Sequence, residues 1–344
     1  MKRKPEQFRA IEYVIFSLVT AAVLCACVCI GSVNIPLKDT VTVIWNAITR
    51  QPQPAGLATS IILSVRLPRV LCVALSGTAL SLAGAAMQGL LKNPLADGST
   101  LGVSSGASLG AVLAIAFGLT FPALPVAGTM LMAILFAFLS LLIILGLAYK
   151  LDYSLSTNTI ILIGVIYSMF VSSAMNVIIT FSAERVKDIT FWTMGSLQNS
   201  SYLNAVILAG VLLVCGGIIV IHARELNAFA VGEDNARHVG VDVRRTKLVI
   251  LITVSILIGV CVSVGGTIGF VGLVIPHISR TIIGTVHRRL IPFAALLGGI
   301  LMIWADAVAR VVVAPSELPI GIVTAFIGAP FFLFLLRGSK YSFQ

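Results

Sequence analysis

The chain has 344 residues, 58% of them hydrophobic and only 10% charged, with a mean hydropathy of +1.06 and a formal net charge of +10. Soluble domains carry about a quarter charged residues, so composition excludes a soluble fold and places the chain in a membrane. Its cations sit in short loops between apolar runs, where they orient a membrane protein rather than bind nucleic acid.

Several apolar runs reach about twenty residues, which fits helices crossing a bilayer core better than the roughly ten alternating residues of a barrel strand. Lys2, Arg3, Lys4 and Arg9 precede a first span at about 13–33 and place the N-terminus in the cytoplasm. The Leu24–Cys27 run after this basic start looks faintly like a lipoprotein cleavage box, and an uncleaved first span is the reading adopted. A polar outer segment, 34–64, carries Pro36, Pro52, Pro54 and an interfacial Trp45. Span two runs inward over about 68–91, and a polar break, Lys92 to Gly98, leads to span three at about 99–117. Pro122 and Pro125 mark an outer turn before span four, about 126–148. Lys150, Asp152 and the Ser154–Thr159 cluster form an inner loop before span five, about 159–180.

The 182–199 segment is too polar to span and reads as an outer amphipathic helix, with Phe191 and Trp192 against the interface. Span six, about 202–222, returns inward to the largest cytoplasmic feature, a polar island over 222–247. Spans seven (about 248–265) and eight (about 267–286) meet at Gly265-Gly266, and His287-Arg288-Arg289 follows on the inner side. Span nine covers about 290–313; the Pro315–Pro319 turn lies outside, and span ten, about 320–336, ends at Arg337 and Lys340. In this ten-span arrangement sixteen of the 23 Lys and Arg lie inside; Lys38, Arg50, Arg66, Arg69, Arg185, Lys187 and Arg310 lie outside. That bias supports cytoplasmic termini. The equal spacing of Gly84 to Pro94 and Gly266 to Pro276 hints at an inverted repeat.

The six cysteines, at 25, 27, 29, 72, 215 and 261, all lie in apolar runs without CxxC or a zinc-completing His, and read as small hydrophobes. In the island, small apolar and charged residues alternate at helical spacing between Gly232 and Gly240, so a short helix can dock in a groove of a soluble partner or form a solvated loop. Arg66 and Arg69 suit headgroup anchoring, and Asp306 and Arg310, four residues apart, can neutralise each other inside the membrane. Pro94 removes a donor and redirects the chain, which suits a hinge or an ordinary turn. His277 in the Gly269–His277 run can hydrogen-bond within the bundle or ligate a metal; Met169, Phe170, Met175 and Asn176 are candidates for a pathway wall.

Seven short motifs stand in order: Arg66-Leu-Pro-Arg69, Asn93-Pro-Leu-Ala96, Leu101-Gly-Val-Ser-Ser-Gly106, Gly232-Glu-x-x-Ala-Arg-x-x-Gly240, Gly269 to His277, Ala305-Asp-x-x-x-Arg310 and Glu317-Leu-Pro-Ile-Gly321. Together they resemble the permease family of ABC importers for ferric siderophores, haem and cobalamin, the FecCD/cobalamin-permease type, over nearly all of Arg66 to Leu336. The resemblance implies an all-α, type II ABC importer permease fold of about ten transmembrane helices, in the bacterial cytoplasmic membrane, as one domain over 1–344. It implies a homodimer, or a heterodimer with a paralogue, with two cytoplasmic ATPase subunits and an extracytoplasmic binding protein.

By that resemblance Gly232, Glu233, Ala236, Arg237 and Gly240 form the ATPase coupling element, with Glu233 and Arg237 as polar contacts. Arg66, Arg69 and Arg310 accept acidic residues of the binding protein. Asn93, Pro94 and Leu95, with Thr157 and Asn158, form the cytoplasmic gate, although Asn158 departs from the small hydroxyl residue expected there. There is no GxxxxGK[ST], so ATP and Mg are expected on the partner ATPase, and the chain itself is expected to bind no cofactor and no metal and to be no enzyme. Ferric-siderophore carriage is the first expectation, with haem and cobalamin as alternatives. An ion-coupled secondary transporter needs unpaired intramembrane acids, and the one candidate, Asp306, has an Arg partner; a membrane enzyme needs a HExxH or a carboxylate pair, and neither occurs.

Overall fold

The structure, a computed structural model, describes residues 10–338 except 32, 34, 55, 99, 120–126 and 154. Lys2, Arg3, Lys4, Arg9, Pro122, Pro125, Ser154, Lys340 and the side chain of Arg337 lie outside the described residues.

The described elements are helices. In chain order they are α1 (Ala10–Cys29), α2 (Leu37–Thr49), α3 (Leu57–Ser60), α4 (Leu67–Leu90), α5 (Val103–Ala116), α6 (Ala127–Leu151), α7 (Thr157–Phe181) and α8 (Val186–Thr193). Then follow α9 (Tyr202–Ile221), α10 (Ala223–Val231), α11 (Glu233–His238), α12 (Val243–Gly265), α13 (Val271–Ile283), α14 (His287–Val311) and α15 (Ile320–Gly338). Six stretches are long and apolar enough to cross a bilayer: Leu57–Leu90, Gly128–Leu151, Thr157–Phe181, Tyr202–Ile221, Val243–Gly265 and His287–Val311. Four shorter apolar helices accompany them, Val14–Cys29, Val103–Ala116, Val271–Ile283 and Ile320–Phe334.

Polar side chains and glycines set several ends. Ser156, Ser201 and Asp242 cap α7, α9 and α12 by accepting from the backbone N–H three residues on. Gly266, at φ 68, stops α12.

The bundle is organised around α4, which packs on α9, α12, α13 and α14. In its most apolar window 78% of residues are buried, against 22% for α7, so α4 is the inner post and α7 an outer wall. Close approach at this post depends on Gly84: a side chain there would fall on the Gly272 carbonyl of α13.

Four expectations are corrected. The 34–64 segment is not simply a polar outer stretch, because α2 lies there with Thr40 and Val43 buried, and the helix of span two begins at Leu57 rather than 68. Pro68 marks no start: a π-helical turn, Ile61–Arg66, precedes it and widens the ladder where proline lacks a donor. Span eight is the 13-residue α13, roughly 20 Å long, entered through an extended link from Gly266. The 182–199 segment is helical only through α8 and a preceding 3-10 turn; beyond it the Ser196 N–H donates to the Gly265 carbonyl at 2.8 Å, folding the chain back on α12. The equal Gly-to-Pro spacing of the suggested inverted repeat also falls on unlike places: Gly84 is mid-helix and Gly266 ends one, while Pro94 lies in a turn and Pro276 inside α13.

Candidate functional site

At one end of the bundle α10, packed on α4 and α14, and then α11 connect α9 to α12. Gly232 (φ 147) breaks the two short helices apart, and Gly240 (φ 87) closes α11, its N–H donating to the Arg237 carbonyl at 3.0 Å. Ala236 is fully buried beneath α11, whereas Asp234, Arg237, His238 and Val239 face outward. Arg237 pairs loosely with Asp234 at 3.8 Å on that exposed face.

Glu233 stands only partly on this face, its side chain 27% exposed. Its carboxylate turns inward to Lys247 Nζ at 2.7 Å and accepts from the Thr157 hydroxyl at 3.2 Å. Lys247, read as part of a solvated island, is fully buried and also donates to the Leu155 carbonyl at 2.8 Å. On the other flank, a side chain at Gly232 would meet the Lys92 ammonium at 3.2 Å. The predicted hinge and the loop before α7 therefore meet at α11. Asn93 stabilises its own turn by accepting from the Leu95 N–H at 2.9 Å, with Pro94 and Leu95 exposed; Thr157 is half-buried and Asn158 exposed. Of the inner His287-Arg288-Arg289 run, His287 and Arg289 are buried; the His287 backbone and ring both meet Asn227 Oδ1 at 2.8 Å.

At the opposite end lies a second charged cluster. Arg66, Arg69 and Arg310 are only 5%, 5% and 2% exposed. Their expected place on a surface is thereby corrected: each guanidinium is committed within the protein. Arg69 pairs with Asp306 at 2.8 Å and with Glu317 at 2.6 Å. Arg310 pairs with Asp306 at 3.0 Å, as their spacing predicts, and donates to the Ile30 and Cys27 carbonyls at 2.6 and 3.0 Å. Arg66 donates to Val28 and Cys29, each at 2.9 Å, and to Val33. The π-helical turn precedes α4 with Arg66 as its last residue, beside the C-terminal end of α1. Glu317 also accepts from the Gln198 amide at 2.9 Å. Burial alone would raise the Glu317 carboxyl, but the hydrogen bond and charge of Arg69, then Gln198 and Arg310, bring it below its ordinary value.

Between the two ends a cavity of about 270 Å³ opens among α4, α5, α12 and the link before α13. Asp97, Ser104, Ser105, Ser108, Thr267 and Met175 are among its walls. Of the suggested pathway residues only Met175 reaches it; Met169, Phe170 and Asn176 lie on the exposed face of α7. His277 is half-buried, and among the described residues no group of three His, Cys, Asp or Glu is placed to hold a metal.

Lys247 and Gln198 escaped the sequence reading. A single Lys next to an apolar run was a faint signal for the first; nothing near Gln198 distinguished it from a loop residue.

The profile of the FecCD transport family matches residues 18–338. The chain is 40% identical over 333 residues to an uncharacterized ABC transporter permease protein, YvrB, of Bacillus subtilis (strain 168), covering 95% of this chain and 94% of that one. It is 36% identical over 318 residues to the hemin transport system permease protein HmuU of Yersinia pestis, covering 91% and 93%. A solved inward-facing structure assigned to the metal-chelate type of ABC transporter superposes with a TM-score of 0.82 at 31% identity, over 94% of this chain and 97% of that one. Among the described residues ten apolar helices, one of them the glycine-packed post, a short exposed helix at one end and this similarity along almost the full length lead to one conclusion: the chain belongs to the FecCD transport family and is a multi-pass, inner-membrane permease subunit of an ABC importer.

Proposed function

We propose that the α11 end faces the cytoplasm, seats the ATPase subunits and passes their stroke to a gate formed by Asn93–Leu95 and Thr157–Asn158. The observation that carries this is α11 itself: its outer face is exposed while its inner face holds Thr157 through Glu233 and lies beside Lys92 through Gly232. The ATPases hold ATP and Mg. The permease pairs with a second copy or a paralogue, and the exposed apolar face of α7 supplies surface for that partner and for lipid. The binding protein docks at the opposite end, where Glu317, at 22% side-chain exposure, is the member of the charged cluster nearest solvent. The three arginines support that surface from beneath.

The favoured cargo is an iron complex. A ferric siderophore is favoured because the cavity wall carries Ser104, Ser105, Ser108 and Thr267 hydroxyls, which suit an oxygen-rich chelate. Haem is the second reading, from the similarity to a hemin permease; cobalamin is the third. Reconstitution in liposomes tests the scheme. With its ATPase and binding protein the chain should accumulate radio-iron siderophore against a gradient; haem and cobalamin serve as competitors. Uphill accumulation by the chain alone would overturn it.

A further inference from the structure

The buried ammonium of Lys247 has a role that the permease assignment leaves open. It lies in the first turns of α12, is fully buried, and its partners come from two other segments: Glu233 of α11 at 2.7 Å and the Leu155 carbonyl at 2.8 Å. Leu155 is itself buried and holds φ 52, a conformation that non-glycine residues rarely adopt, with its N–H donating to Asp152 at 2.9 Å. Two residues on, Thr157 closes the triangle by donating to the same Glu233 oxygen at 3.2 Å.

Replacing both members of such a buried pair by apolar side chains of similar volume is often neutral or stabilising, so folding strength alone does not explain the ion pair. Its distinctive property is that it cannot be opened cheaply. Moving Glu233 away would strand a charge that no water reaches, whereas moving Glu233, Lys247 and Leu155 together strands nothing. We infer that Lys247 is a positioning residue that makes α11, the Leu155–Thr157 segment and the start of α12 move as one body, so that displacement of α11 is transmitted to the gate segment instead of dissipating in a loop. This inference rests on the reading of α11 as the ATPase-docking element.

The test uses the full complex of permease, ATPase and binding protein in liposomes, with transport and ATP hydrolysis measured separately. For Lys247→Met the ATPase should still co-purify and hydrolyse ATP within about threefold of the unaltered complex, while substrate moved per ATP should fall by about tenfold or more. Glu233→Gln, which keeps an acceptor but removes the ionic partner, should lower the same ratio by less, and it serves as the readout if Lys247→Met does not accumulate. An unchanged ratio in the variant measured overturns the inference, and so does a proportional fall of transport and hydrolysis. The docking reading fails separately: if Arg237→Glu, on the outer face of α11, leaves the ATPase bound at unaltered affinity, that reading is wrong whatever the ratio shows.

Discussion

Replacing Asp306 by alanine is the most direct probe of the charged end. Asp306 is 1% exposed and faces two guanidiniums, Arg69 at 2.8 Å and Arg310 at 3.0 Å, whose side chains are 6% and 3% exposed. The cluster holds three cations (Arg66, Arg69, Arg310) against two carboxylates (Asp306, Glu317), a balance of +1 that becomes +2 without Asp306. Removing one partner of a buried pair typically costs about 3–5 kcal/mol. Here the lower end applies, because Arg69 keeps Glu317 and Arg310 keeps the Ile30 and Cys27 carbonyls. Asp306→Ala should therefore cost about 3 kcal/mol, and Asp306→Asn, which retains one acceptor, about 2 kcal/mol. A reversible unfolding titration in mixed micelles measures both. The double variant Asp306→Ala with Arg310→Met should recover more than 1 kcal/mol of the loss, about what removal of a stranded charge returns. A loss below about 1 kcal/mol for Asp306→Ala would refute the argument, since it would mean that water or lipid headgroups already solvate these arginines.

The other expectations are shorter. Gly84→Val drives a side chain into the Gly272 carbonyl, which cannot swing aside, and should cost about 3 kcal/mol or more in the same titration, whereas Gly146→Ala, with open space around it, should be neutral or gain up to about 1 kcal/mol. Because the Glu317 carboxyl is held below its ordinary value of 4.5, its stabilising contribution is fully present above that pH and is lost as pH falls through the depressed value. Half-lives in detergent should shorten in that acid window, and Glu317→Gln should flatten the profile. Arg66→Glu sets a carboxylate against the Val28, Cys29 and Val33 carbonyls and should abolish folded yield, at a cost of about 3 kcal/mol or more. Wild-type stability combined with weakened binding-protein docking would show instead that Arg66 faces outward.

The spans were readable from sequence because lipid demands long apolar runs, and the register of α11 because Gly232 and Gly240 announce its ends. What could not be read was the direction of charged side chains. Arg66 and Arg69 stand in a stretch that fits headgroup anchors equally well; only the π-helical turn and the end of α1 with Val33 just beyond it, more than thirty residues away in sequence, turn Arg66 inward. Glu317 pairs with Arg69 across 248 positions, a partnership no local pattern encodes. Lys247 was misplaced for a related reason. Hydropathy counts a Lys beside a span as solvated, but burial is decided by a carboxylate fourteen residues earlier and a loop carbonyl 92 residues away. The Asp306–Arg310 pair was legible because both members share one helix face at i, i+4, and the start of span two was lost because Arg66 and Arg69 interrupt the apolar run that begins at Leu57.

The two charged clusters are not independent features of the bundle. Lys247 lies in the first turns of α12 and Gly265 in its last, so this single helix, roughly 35 Å long, reaches from the α11 cluster to the opposite end. There the Gly265 carbonyl accepts from Ser196; two residues on, Gln198 donates to Glu317, which holds Arg69, which holds Asp306. A run of such contacts shows only that a mechanical route exists; coupling requires that its parts resist bending and switch together. α12 meets the first requirement, since 72% of its most apolar window is buried and Ile258 at its middle presses on Gly98 of the hinge loop. The second is met at the Lys247 end, where breaking the contact with Glu233 strands a buried charge; at the Gly265 end α12 is tied by a neutral backbone hydrogen bond to Ser196, and the charged pairs lie beyond it on α4, α14 and the Glu317 turn. A permease built so would give way at its loops and keep α12 rigid, which is the arrangement an ATP-driven stroke at one face needs if it is to be felt at the other.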